Sequence, residues 1–162
     1  MADYGRGIKA GIVSGIIYGI ISGIIIALIV AAMWDTIVDY SMYTSYSTMG
    51  TLTIEFGAIF IFMLIGGIIG GIIGGIIFGL IYAALYNSIP GTTSIMKGII
   101  LSVIFWIIFS VLIGFGNMSI YGATYFAVVN VGIGLLTSLL WGFLLGKFWD
   151  KFAPLGGAPA TS

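Results

Sequence analysis

Charged residues are scarce in this chain of 162 residues, which has five Lys+Arg and five Asp+Glu. Charged residues therefore make up 6% of the chain, against about a quarter in an ordinary soluble domain. A surface with so little charge would associate in water. Because 60% of the residues are hydrophobic, we expect the lipid bilayer to be the main solvent and partner of the chain.

Cysteine and histidine are absent. Zinc, haem and copper sites depend on those side chains, so we expect no metal and no cofactor. No carboxylate falls in the middle of an apolar stretch, so we do not expect an enzyme. The sequence has no phosphate-binding loop and no basic patch, which removes nucleic acid from the expected partners.

Four apolar stretches are long enough to cross a bilayer, for which a helix needs about 20 residues. None alternates with the period of two that is typical of barrel strands, so we predict an all-α integral membrane protein. The stretches pair into two tandem hairpins, residues 1–87 and residues 88–152, followed by a flexible tail at 153–162. The four apolar stretches are residues 8–34, 54–86, 95–115 and 121–149.

The positions of the basic residues predict the topology. All of them fall in the two termini and the second connection, and the first loop has none; they are Arg6, Lys9, Lys97, Lys147 and Lys151. Lys and Arg concentrate in cytoplasmic segments. We therefore predict a multi-pass protein with both termini cytoplasmic and the long loop 35–53 outside.

Acidic residues gather at the predicted outer face, where the sequence has Asp35, Asp39 and Glu55. Carboxylates in such a cluster could form a site for a hard cation or an acidic vestibule. Ordinary interfacial charge is the simpler interpretation.

Glycine is abundant inside the spans and recurs at intervals of four residues. Residues four apart lie on one helix face, and bare faces let membrane helices approach closely. The pattern predicts glycine-zipper packing, either within the chain or against other copies. The predicted packing residues are Gly11, Gly15, Gly19 and Gly23 in the first span, Gly67, Gly71, Gly75 and Gly79 in the second, and Gly134, Gly142 and Gly146 in the fourth.

The two hairpins resemble each other in sequence. The segment "KAGIVSGIIYGIISG", residues 9–23, aligns without gaps on "KGIILSVIFWIIFSV", residues 97–111. Matched Lys and Ser positions favour a tandem repeat related by an axis along the membrane normal. Chance similarity between Ile- and Gly-rich segments is the alternative.

Polar residues within the spans are few, and they suggest a path between the repeats. The predicted path consists of Ser14, Ser22, Ser102, Ser110 and Asn130. Hydrogen bonding to the preceding helical turn is the simpler role for each serine. In architecture the glycine-rich hairpins resemble rotor-ring proteolipids, but those proteins and proton antiporters need an intramembrane acid that this chain lacks.

Two functions remain after these exclusions. The first is a structural or assembly protein, which packs through glycine faces as a homo-oligomer or as an accessory subunit of a larger membrane complex or shell. The second is a small channel or transporter with a polar path lined by Ser and Asn between the hairpin repeats.

Overall fold

The computed structural model describes residues 2–32 and 56–153. Over these ranges the chain is helical and contains no strand. Four helical segments are long and apolar enough to cross a membrane: Tyr4–Ile29, Phe60–Leu85, Ser94–Gly116 and Gly122–Lys151. They agree with the predicted stretches and confirm the all-α class with four helices able to span a bilayer. We call these segments the first to fourth spans.

The first hairpin consists of two long helices, α1 (Tyr4–Ala32) and α2 (Phe56–Leu85). A short connection leads to α3 (Ser94–Phe105). The hydroxyl of Thr93 accepts a hydrogen bond from the backbone N–H of Met96 at 3.2 Å. This N-cap satisfies one of the free donors at the start of α3 and fixes where the third span begins.

The third and fourth spans change helix type where they face each other. The third span widens into a π-helical segment, Trp106–Ile113, and ends in a 3₁₀ turn, Gly114–Asn117. A short helix, α4 (Met118–Tyr125), leads to a second π-helical segment, Phe126–Ile133, and then to α5 (Gly134–Lys151). Within α4 the backbone breaks at Gly122, whose φ of 85° is readily adopted only by glycine.

The two helices of the first hairpin lie backbone against backbone. A Cβ built on Gly11 would overlap the carbonyl oxygen of Gly75, and a Cβ built on Gly75 would overlap that of Gly11. Such contact brings Cα–H groups onto facing carbonyls, which holds membrane helices together. The same reciprocal arrangement occurs for Gly7 with Gly79, Gly15 with Gly71 and Gly19 with Gly67, and is looser where Gly23 faces Met63.

The two spans of the second hairpin lie close together at one end and farther apart at the other. A Cβ on Gly98 would overlap the carbonyl oxygen of Gly142, and a Cβ on Gly146 would lie 2.5 Å from that of Ser94. Further along, the indole of Trp106 lies 3.1 Å from the Cβ position of Gly134. A side chain therefore separates the two spans where backbone contact ends.

The hairpins join at the end of the bundle that holds residues 2–10, 82–97 and 145–153, which we call the terminal end. The other end, near residues 29–32, 56–60 and 113–122, is the loop end. At the terminal end α1 packs on α5, and the buried core includes Ala10, Tyr82, Leu101, Leu145 and Trp149.

The aligned residues of the two hairpins face different neighbours. In the second hairpin Gly98 and Trp106 lie against the fourth span. In the first hairpin the aligned Ala10 lies in the core between the hairpins, and the ring of Tyr18 lies 5.7 Å from that of Trp141. The first hairpin instead pairs its own helices through the column of Gly7, Gly11, Gly15 and Gly19.

Candidate functional site

A cleft of about 690 Å³ lies between the two hairpins, and all four spans contribute to its wall. It extends from Trp141 on the terminal side to Ile26, Gly66 and Gly114 on the loop side. The hairpins pack on each other at the terminal end and through a layer of aromatic rings next to it, and the cleft lies beyond that layer.

One wall of the cleft is a glycine face. Gly66, Gly70 and Gly74 line it from α2, and a Cβ built on Gly66 or Gly70 would meet nothing within 4 Å. The neighbouring column, which includes Gly71 and Gly75, also lines the cleft but packs against α1. The two glycine columns of α2 therefore differ in packing, because both border the cleft and only one of them contacts a helix.

The opposite wall is polar. Of the predicted path residues, Ser22, Ser102, Ser110 and Asn130 line the cleft, whereas Ser14 does not. Ser14 is 0% exposed and donates a hydrogen bond of 3.1 Å to the carbonyl of Gly11 in its own helix.

Two further polar residues line the cleft, Thr137 and Ser138, which the predicted path omits. Asn130, Thr137, Ser138 and Trp141 follow one another at helical spacing and therefore share one face of the fourth span. That spacing is a signal in the sequence that would have added Thr137 and Ser138 to the path.

Two hydrogen bonds tie the third span to the fourth beside the cleft. The indole Nε1–H of Trp106 donates to the backbone carbonyl of Asn130 at 2.9 Å. The side-chain amide of Asn130 donates to the backbone carbonyl of Ser110 at 3.2 Å. Both accepting carbonyls lie in π-helical segments, whose altered hydrogen-bond pattern frees carbonyl groups.

The hydroxyl groups of the cleft donate into their own helices. Ser102 donates to the carbonyl of Ile99 at 2.9 Å, and Thr137 donates to that of Ile133 at 2.9 Å. Ser22 and Ser138 make equivalent bonds, at 3.4 and 3.0 Å. Ser102 is 1% exposed and closed to the cleft, whereas the other three hydroxyl oxygens keep lone pairs that can accept a further hydrogen bond.

Aromatic rings form the floor of the cleft. The ring of Phe78 lies 4.5 Å from that of Phe105 and 4.6 Å from that of Trp141, measured between centroids. Tyr18 completes the layer through its contact with Trp141. These rings come from all four spans and separate the cleft from the terminal end.

Beneath the floor, a polar network links the two hairpins. Arg6 Nε donates to the carbonyl of Trp149 at 2.5 Å, and the Arg6 guanidinium lies 4.3 Å from the centroid of the Trp149 ring. A terminal nitrogen of the Arg6 guanidinium group lies 3.8 Å from a carboxylate oxygen of Asp150. We call the residues of this network the latch: Arg6, Tyr82, Tyr86, Ser94, Lys97, Trp149 and Asp150.

The rest of the latch surrounds Ser94. The Ser94 hydroxyl donates to Asp150 at 2.5 Å and lies 2.6 Å from the Tyr86 hydroxyl. The Tyr82 hydroxyl donates to the Ser94 carbonyl at 2.5 Å. Lys97 Nζ donates to the carbonyl of Tyr86 at 2.8 Å. The latch thus connects the start of the first span, the second connection and the end of the fourth span.

Charge is confined to the terminal end in the part of the chain that the structure describes, where the charged residues are Asp3, Arg6, Lys9, Lys97, Lys147, Asp150 and Lys151. The same part contains no group of three or more His, Cys, Asp or Glu that could hold a metal ion. The predicted acidic residues Asp35, Asp39 and Glu55 lie outside the described residues.

Comparison with known proteins gives a family for the chain and no function. No curated protein and no solved structure was found to be similar to it. The model of a family of unknown function, DUF6789, matches residues 6–156, which include the latch, the cleft and nearly the whole of all four spans. The match covers well over half of the sequence, and the chain belongs to the DUF6789 family.

Proposed function

We propose that the chain is a small membrane transporter whose substrate passes through the cleft between its hairpins. The observation that carries this proposal is the cleft itself, in which groups from all four spans surround one space and polar side chains occupy its wall. Polar groups that border an open space inside a membrane protein are candidates for a pathway or a binding site. Four residues of the path predicted from sequence line this space.

The floor and the latch favour a carrier over an open pore. An open pore needs a continuous path, and here the rings of Phe78, Phe105 and Trp141 close the cleft on the terminal side. Many transporters work by rocking one rigid unit against another around a central site. Glycine contact along its length makes the first hairpin such a unit. The second hairpin is held by glycine contact at the terminal end and by the hydrogen bonds of Trp106 and Asn130 beyond it.

The proposal includes glycine-zipper packing and the topology predicted from charge. The zipper is supported by the reciprocal approach of Gly15 and Gly71 and its neighbours. Cytoplasmic termini are supported by the basic residues among the charged groups of the terminal end. With this orientation the cleft would open toward the outer side and the latch would close the cytoplasmic side.

Access of water to the cleft tests the transporter proposal. The chain has no cysteine, so Ser110→Cys introduces a single thiol with little change in shape. We expect a charged, membrane-impermeant thiosulfonate reagent to modify this thiol in the folded protein. Ser14→Cys is the matched control, because Ser14 is 0% exposed and its thiol should react only after unfolding. Equal protection of both thiols would contradict a wetted path.

A structural or assembly role is the second candidate, and it would use one exposed surface of the structure. The outer face of α2 presents a row of isoleucines at intervals of four residues, each at least half exposed: Ile61, Ile65, Ile69, Ile73 and Ile77. Such a ridge suits either acyl chains or a neighbouring copy. The mass of the particle extracted in native lipid tests the assembly role. A ring of copies or a larger complex supports that role, and a single chain opposes it.

A further inference from the structure

We infer that the cleft selects uncharged molecules that carry hydroxyl or amide N–H groups and one apolar face. This inference rests on the proposed transporter function and names the chemical class of its substrate. It follows from three properties of the cleft: the charge of its lining, its inventory of hydrogen-bonding groups and the shape of its walls.

The lining of the cleft has no charge among the described residues. The charged groups among the described residues lie at the terminal end, behind the aromatic floor. An ion that enters a low-dielectric space without a counter-charge pays a large desolvation cost. A charged substrate would therefore enter this cleft much less readily than a neutral molecule of the same size.

The polar wall offers more acceptors than donors. Ser102 is 1% exposed and offers no group to the cleft, and the hydroxyl of Ser110 can donate as well as accept. The hydroxyl protons of Thr137, Ser138 and Ser22 are already donated to backbone carbonyls. Their oxygens, together with the side-chain carbonyl oxygen of Asn130, can still accept. Water in the cleft can donate hydrogen bonds to these acceptors. A substrate without donors would displace that water and leave the acceptors unpaired. The wall therefore favours a substrate that brings its own O–H or N–H groups.

The remaining walls are flat and apolar. The glycines at 66, 70 and 74 present no side chains, and Phe78 and Trp141 present ring faces and edges. These surfaces contact carbon atoms well and offer few hydrogen bonds. A hydroxyl-bearing molecule with an apolar face matches both walls, whether it arrives from water as a small polyol or from the bilayer as a long-chain alcohol.

Two measurements on the purified full chain distinguish these sources. In proteoliposomes, light scattering follows the entry of erythritol and of erythronate, its carboxylate counterpart. In lipid nanodiscs, a brominated long-chain alcohol and the brominated fatty acid of equal length are compared as quenchers of tryptophan fluorescence, since Trp106 and Trp141 line the cleft. We expect the neutral member of at least one pair to be favoured about tenfold or more, which corresponds to about 1.4 kcal/mol.

A variant ties any such effect to the polar wall. Thr137→Val keeps the shape of the side chain and removes its hydroxyl, so it should reduce the preference for the neutral molecule at least about threefold while the protein stays folded. Ser110→Ala removes another hydroxyl of the cleft lining and serves as the second variant if Thr137→Val does not fold.

Each outcome of these experiments has a meaning. Preference for erythritol supports a substrate from water, and preference for the brominated alcohol supports one from the bilayer. If the charged members enter or bind equally well, or if neither pair responds while the thiol of Ser110→Cys reacts, the substrate class is wrong and the transporter proposal stands. If that thiol is protected, the transporter proposal itself fails.

Discussion

Trp106 and Asn130 are joined across the second hairpin by a hydrogen bond of 2.9 Å from the indole Nε1–H to the backbone carbonyl. The amide of Asn130 returns a bond to the backbone carbonyl of Ser110, on the same span as Trp106. Each of these two spans is π-helical at this point. The pair therefore lets two irregular helical segments lie side by side within an apolar region without leaving these carbonyls unpaired.

Removal of the indole donor should destabilise the second hairpin. In Trp106→Phe the carbonyl of Asn130 loses its partner, and we expect a loss of about 1–3 kcal/mol in the free energy of unfolding, measured in mixed detergent micelles. Trp141→Phe is the matched control, because Trp141 also lines the cleft and its Nε1–H has no hydrogen-bond partner among the described residues. Equal losses in the two variants would show that ring volume, not this hydrogen bond, matters.

Adjacent glycines of α2 should respond oppositely to the same substitution. A Cβ at Gly71 would overlap the carbonyl oxygen of Gly15, whereas a Cβ at Gly70 meets nothing within 4 Å. We expect Gly71→Ala to lower the free energy of unfolding by about 1–3 kcal/mol, because the helices must move apart. Gly70→Ala should be neutral or stabilising, since alanine favours helix. Thermal unfolding in detergent compares them, and similar melting temperatures would contradict tight packing of α1 on α2.

Arg6 should contribute more to the stability of the latch than its ion pair with Asp150 alone would. The Asp150 side chain is 57% exposed, and exposed ion pairs contribute at most about 1 kcal/mol. Arg6 also donates to the Trp149 carbonyl and covers the Trp149 ring. Arg6→Ala should therefore lower the melting temperature clearly, whereas Asp150→Asn keeps an oxygen that can accept from Ser94 and should change it little. The reverse order would show that charge pairing dominates the latch.

The number and extent of the spans could be predicted from sequence, because hydrophobic length alone determines which helices can cross a bilayer. The spacing of Gly67, Gly71, Gly75 and Gly79 likewise indicates a bare helix face. Spacing does not tell which face meets which helix. In the structure this column packs against α1 and also borders the cleft, while the neighbouring Gly66 and Gly70 line the cleft without contacting a helix.

The cleft depends on features that composition and periodicity do not reveal. It arises because Trp106 separates the two spans of the second hairpin where glycine contact ends, and because the hairpins contact each other mainly at the terminal end and through the aromatic floor. The latch brings Arg6 to Asp150 over 144 positions of sequence. No local pattern encodes such a contact. The sequence also does not distinguish the π-helical segments from α-helix, since both consist mainly of apolar residues.

The central claim is that the cleft opens to one side of the membrane at a time and that the latch holds the terminal side closed. The most direct test is the rate of thiol modification of Ser110→Cys from each side, measured in oriented vesicles. With the latch intact, we expect the thiol to react from the loop side. Adding Arg6→Ala should raise the rate from the terminal side about tenfold or more, as expected if the latch contributes about 1.4 kcal/mol to the closed state. A terminal-side rate that does not change when Arg6 is replaced would contradict the account.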